Sequence, residues 1–220
     1  MIKYRGHRYR EVVAAGLPVD HFGMVYHIGD LSPTSKGTDS YEGAGLSVSQ
    51  HPEEWAEIAR LPGDVWTLTN PSGACLDALA LSPNQKKLVL DWGVSHGYLD
   101  SATVWHLYYY DDEDDEERYF EFSSQEDAEL EYEEYEEDPD ARLEEVPGAY
   151  VGTAKLASEG MNPSVVTSEG IAWDILLAVY VEHETDLDGV WWHERLDVSA
   201  LSAPRGVIVP SRIKRWEVSK

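Results

Sequence analysis

Apolar and polar positions along the chain fall into short runs whose period alternates between two residues and three to four, the pattern of interleaved strands and helices. Residues 1 to 23 mix basic and apolar side chains without a period and are assigned to a strand or short helix at the edge of the domain. Tyr26 to Gly29 reads as the end of a strand, and Leu46-Ser47-Val48-Ser49 as another, with hydroxyl and apolar residues alternating. The intervening loop, Leu31 to Gly45, is rich in Gly, Pro, Ser and Thr. A helix is predicted from about Pro52 to Leu61: proline stands at its first position, Glu53 and Glu54 in its first turn, and Trp55, Ile58 and Ala59 at the spacing of one buried face. Val65 to Leu68 alternates like a strand and Asn70-Pro71-Ser72-Gly73 is a turn. Ser82 then caps a helix running to about His96, with Leu88, Val89 and Trp92 facing inward.

In the second half, Thr103 to Tyr110 and Tyr119 to Phe122 are β-branched and aromatic runs joined by DDEDDEER, which predicts a hairpin. Ser123 followed by Glu126 has the form of a capping box opening an acidic helix to about Glu137, with Leu130 and Tyr135 as its apolar edge. Pro139, Pro147 and Gly148 mark a loop, and Tyr150 to Leu156 reads as a strand. Thr167 or Ser168 caps a mostly buried helix containing Ile171, Ile175, Leu176 and Val179. Asp188 to Glu194 is a strand whose two tryptophans point to opposite faces, and Val207 to Val209 and Ile213 to Val218 complete the set. The fold class expected is α+β, with a mixed, mainly antiparallel split sheet and flanking helices.

Length places all 220 residues in one domain. A single cysteine, Cys75, excludes an internal disulfide and fits a reducing compartment; its apolar neighbours suggest a small buried hydrophobe. The basic N-terminus lacks the apolar core of a secretory signal, and no run is long enough to span a bilayer, so a soluble, cytoplasmic protein with no membrane partner is expected. The net charge of -25 changes the picture once it is divided along the chain. Asp111 to Glu145 holds 20 of the 42 acidic residues against Arg118 and Arg142, giving -18 there and -7 elsewhere, and residues 111–145 are read as an acidic insertion. Without a basic footprint, direct nucleic-acid binding is disfavoured.

Met24 to Trp55 concentrates potential chemistry, with Tyr26-His27 at a strand end, Ser47 and Ser49 on the next strand, and a Gly/Ser-rich loop between. Together with Gly45-Leu46-Ser47-Val48-Ser49 and the later Trp191-Trp192-His193-Glu194, this order resembles the ADP-ribosyltransferase fold. SVS stands where the arginine-type branch has Ser-Thr-Ser, and His where it has Arg, so features of two branches are combined. Gly189, Val190 and Glu194 also resemble the matching element of small phage-borne anti-CRISPR transferases. The resemblance implies an NAD-dependent mono-ADP-ribosyltransferase, a toxin or phage effector, acting on a macromolecular acceptor. It places Glu194 as the catalytic acid and Tyr26, His27, Ser47 and Ser49 around NAD. Tyr41, Trp55 and Trp191 are the aromatic candidates for the nicotinamide and Arg205 for a phosphate.

A carboxylate beside the ribose would stabilise the oxocarbenium-like state through which the nicotinamide bond breaks, and an imidazole can both donate to and accept from ribose hydroxyls. Glu182 and Glu184 are rival acids, but at a helix end. Each residue also has a plain structural reading: a satisfied histidine at His27, the polar face of a half-buried strand at Ser47 and Ser49, and an arginine partner at Glu194. His183-Glu184 and His193-Glu194 are too sparse to predict a metal. The acidic segment supports a second function class, a non-catalytic, DNA-mimic-like interaction or inhibitor protein that binds a basic partner surface.

Overall fold

The computed structural model describes residues 16–31, 45–60, 62–111, 116–135, 138–160, 166 and 170–220. The protein is α+β, built on an eight-stranded mixed sheet and a separate three-stranded antiparallel one. The large sheet comprises β1 (Val19–His21), β2 (Met24–Ile28), β3 (Leu46–Ser49), β4 (Val65–Thr69), β5 (Ala74–Asp77), β9 (Gly189–Trp192), β10 (Arg205–Ile208) and β11 (Glu217–Ser219). Its order is β1-β5-β9-β10-β3-β2-β4-β11. Among the described strands of this sheet, only the β5 to β9 pairing is parallel. The small sheet, in the order β7-β6-β8, contains β6 (Leu99–Asp111), β7 (Glu116–Phe122) and β8 (Arg142–Gly152).

Among the described residues, the helices flanking the sheets are α1 (Pro52–Ala59), α2 (Pro83–Ser95), α3 (Gln125–Tyr132), the single turn α4 (Ala154–Ala157) and α5 (Gly170–Glu184). The start of α2 follows from its sequence, since the Ser82 hydroxyl accepts from the Gln85 N–H while the Gln85 side chain accepts from the Ser82 N–H, and Pro83 occupies the first turn. Helix α5 is apolar nearly all round and buries Ile175, Leu176, Leu177 and Val181 completely. Those residues meet Val190, Trp192 and Val207 from one face of the large sheet, with Val89 and Trp92 of α2, in the larger core. Val25, Leu46, Val48, Leu68, Cys75, Trp191 and Ile208 form a second core on the opposite face, with Phe22 and Trp216. The alternation of β9 therefore sends Trp191 and Trp192 to different cores, as its sequence predicts.

Backbone spacing at the centre depends on glycine. A Cβ on Gly189 would run into the carbonyl oxygen of Val207, and one on Gly206 into the Trp191 ring, so β9 and β10 pair closely only because both positions lack a side chain.

Several boundaries differ from the sequence reading. Ala74–Asp77 is a strand, β5, and carries Cys75 into the second core. Pro147 and Gly148 lie within β8, which tolerates proline because it is the outer strand of its sheet, next to a register shift at Ala102/Thr103. Residues 154–157 are helical. The capping residue of the acidic helix is Ser124, whose hydroxyl accepts from the Asp127 N–H, in place of Ser123 with Glu126. Leu130 and Leu88 point to solvent; Ala128 and, in α2, Val89 and Trp92 face inward. Strand β10 begins at Arg205, and residues Pro210–Arg215 form a 3-10 helix before the short β11. The caps expected at Thr167 or Ser168 lie outside the described residues.

Candidate functional site

Register decides which of the expected residues meet. Tyr26 pairs with Ser49, Ser49 with Arg205 and Arg205 with Trp192, forming one rung across β2, β3, β10 and β9. Because side chains alternate along a strand, Tyr26, Ser47, Ser49 and Arg205 share the face that carries Trp192 and meets α5. His27 and Trp191 fall on the opposite face, so the expectation of one cleft lined jointly by His27, the serines and Glu194 is not met.

At the end of this rung the Arg205 guanidinium bonds Asp174 of α5 at 3.0 Å and Glu194 at 3.1 Å, and its central carbon sits 4.7 Å from the Trp192 ring centroid. Side-chain exposures of 14% for Arg205, 11% for Asp174 and 31% for Glu194 make the Asp174 pair an interior one and leave Glu194 at its rim. The second oxygen of Glu194 accepts from the Ser202 hydroxyl at 3.4 Å. Ser49 is buried; its hydroxyl donates to the Pro204 carbonyl at 2.7 Å and accepts from the His51 N–H at 3.0 Å, so it anchors the approach to β10.

His27 is buried at the end of β2, its Nδ1 2.7 Å from the Ser47 carbonyl oxygen and its Nε2 2.9 Å from that of Asp30. A neutral imidazole donates to only one of two such oxygens; the imidazolium donates to both. Either way the ring ties β2 to β3 and to its own turn. Trp191 is fully buried and stacked on Phe22 at 4.1 Å. Trp55 is half-buried on α1, the Tyr26 hydroxyl donates to the Met24 sulfur at 3.8 Å, and Tyr41 lies outside the described residues.

The rival acids stand at the C-terminal end of α5, where Glu182, His183 and Glu184 join Thr185, Asp186, Ser211 and Arg212 around a cavity of about 200 Å³. Glu182 accepts from the Ser211 N–H at 3.4 Å and His183 Nε2 lies 3.3 Å from the Tyr98 hydroxyl. No group of His, Cys, Asp or Glu among the described residues has the geometry of a metal site. Burial, and then the charges of Asp188 and Asp20, push the Cys75 thiol up and leave it protonated and inert.

Sequence reasoning missed Asp174, although it is the sole acid in the apolar run from Ile171 to Val181 and so requires a buried partner. It also missed the organisation of the acidic segment. The pairing of β6 with β7 and β8 puts His106, Tyr108, Glu117, Tyr119, Glu121, Arg142 and Glu144 on one face, while Tyr109 and Phe120 face the other and pack on Tyr135. On the first face Arg142 lies 4.1 Å over the Tyr108 ring and bonds Glu117 and Glu144. Hydrogen bonding to Arg142 holds the Glu117 carboxyl below its ordinary range, and Glu117 and Glu144 push the guanidinium up.

These features define an α+β protein with a paired, enclosed polar rung in its main sheet and a charged, exposed small sheet. No family model matches the chain, and neither the curated proteins nor the solved structures contain a match. Among the described residues no helix is long and apolar enough to cross a membrane.

Proposed function

We propose that the protein is a non-catalytic acidic interaction protein that engages a basic surface of a partner. The observation that carries this reading is the state of the charges in the small sheet, in α3 and in the 3-10 turn Glu133–Tyr135 that follows it. Arg118 is paired with Asp111 and Glu116, and Arg142 with Glu117 and Glu144, while Glu126, Asp127, Glu129, Glu133 and Glu134 remain exposed. A negative field of that density accelerates encounter with a cationic surface and weakens with salt. Calorimetric titration with oligo-lysine at low and physiological salt tests it. Binding that weakens with salt and is lost when those five acids become Gln or Asn supports the reading; no binding at low salt, or equal binding by the neutralised variant, removes it.

A second reading, the NAD-dependent mono-ADP-ribosyltransferase, is favoured by one observation: Tyr26, Ser47, Ser49 and Arg205 share a sheet face and Glu194 is held at the end of the same rung. In that reading Glu194 provides the catalytic charge and Arg205 orients it. Transfer of label from NAD into a lysate by the wild type, abolished in Glu194→Gln, would establish it. Equal absence of transfer and no NAD binding would discard it.

A further inference from the structure

The open face of β7-β6-β8 carries more than negative charge. Along β7, Glu117, Tyr119 and Glu121 alternate acid, ring, acid on the same side, and Tyr119 is 52% exposed. Across the sheet, Arg142 shows how a guanidinium sits there, flat over Tyr108 at 4.1 Å, gripped on both terminal nitrogens by Glu117 and on Nε by Glu144 at 2.9 Å. An ammonium makes no such planar, forked fit. Tyr119 stands directly opposite Tyr108 in the register, its ring 5.5 Å from it and stacked at 4.4 Å on His106, whose Nε2 bonds Glu121 at 2.9 Å.

We propose that this face docks an arginine-rich segment of a partner protein, each arginine stacking on a tyrosine and bonding a flanking glutamate as Arg142 does within the chain. The inference rests on the interaction reading above and narrows the basic partner to one chemistry. Charge complementarity argues for that occupant: beside each ring stands a carboxylate, and Arg142 is itself an intramolecular copy of the ligand. The Tyr108 site is filled by Arg142, so the partner's first arginine takes the face of Tyr119 away from His106, competing with Arg142 for Glu117 and with His106 for Glu121.

The test is titration of the full chain with octa-arginine and octa-lysine, with circular dichroism to confirm that each variant is folded. Octa-arginine should bind about fivefold tighter than octa-lysine, from guanidinium stacking and forked pairing. Tyr119→Leu, at an exposed position, should bring the ratio of the two affinities close to one, weakening octa-arginine more than octa-lysine. Arg142→Gln should tighten octa-arginine severalfold more than octa-lysine by freeing Tyr108 and Glu117, whereas the added negative charge alone would tighten both peptides alike. Equal affinity for the two peptides, or a preference that survives Tyr119→Leu, overturns the inference while leaving the acidic reading intact. Failure of both peptides to bind overturns both.

Discussion

Replacing Arg205 by Met tests whether the rung is held by its charges. Methionine keeps an unbranched stem against Trp192 and removes the guanidinium, so the packing loss is small and the electrostatic loss dominates. Asp174, at 11% exposure, is left as a carboxylate in an apolar helix without its arginine, a defect that costs about 3–5 kcal/mol. Glu194, at 31%, is partly solvated, and its own share is about 1 kcal/mol or less. For a chain of this size 1 kcal/mol corresponds to about 2–4 °C, so Tm should fall by on the order of 10 °C in Arg205→Met and by about 4 °C at most in Glu194→Gln. Thermal and urea denaturation at neutral pH, followed by tryptophan fluorescence, measure Tm and the free-energy loss for both variants. Adding Asp174→Asn to Arg205→Met should recover much of the loss by removing the buried charge that Arg205 pairs, giving coupling of about 2 kcal/mol in the double-mutant cycle. A loss below about 1 kcal/mol in Arg205→Met, or no coupling to Asp174, would show that the rung is held by its backbone ladder alone. The small cost expected for Glu194→Gln also means that lost label transfer in that variant would report chemistry and not unfolding.

Gly189→Ala should destabilise by about 1–3 kcal/mol or prevent folding, because its Cβ meets the Val207 carbonyl with backbone on both sides; an unchanged Tm would refute the register of β9 on β10. The Cys75 thiol, pushed up by burial, should resist a disulfide reagent at mildly alkaline pH in the native state and react fully in strong denaturant. The Tyr180 hydroxyl is pushed up to about 12 by burial and then by Glu184. Between its ordinary value of 10.0 and about 12 the unfolded chain releases that proton and the folded one keeps it, so stability should fall as pH rises through this window. Tyr180→Phe should flatten that part of the curve, and an identical alkaline profile would exclude Tyr180 as the cause.

The strands legible in the sequence are those whose alternation separates two environments. In β3 and β4 apolar and hydroxyl residues alternate at the period of a pleat, β2 is a short apolar run, and the adjacent Trp191 and Trp192 of β9 divide between the cores as that period requires. Strand β5 was not legible because Ala74-Cys75-Leu76-Asp77 holds no β-branched or aromatic residue and is pressed between two turns. Pro147 and Gly148 misread β8 as a loop, since local preference cannot show that a strand is at an edge. Pro204-Arg205-Gly206 looks like a turn until Gly206 is seen to admit the Trp191 ring and Arg205 to find Asp174. Both reasons lie elsewhere in the chain.

The candidate site was less legible than the fold because sidedness is a property of pairs of strands. Tyr26 and His27 are consecutive in β2, so one faces away from whatever the other faces. Which of them joins Ser47 and Ser49 depends on whether Ser49 stands opposite Tyr26 or its neighbour, and a slip of one residue exchanges the answer. The observed register gives the serines to Tyr26 and sends His27 to the other core, where two carbonyl oxygens engage its ring. The same logic governs the small sheet. Because Tyr108 stands opposite Tyr119 and Arg142, the tyrosines and their glutamates face outward together. A shift of one residue would turn Tyr119 toward the Tyr135 side and bring Phe120 to the surface, leaving the acidity unchanged but removing the ring between Glu117 and Glu121. Composition therefore carries the charge, and register carries the arrangement that would let the charge select arginine.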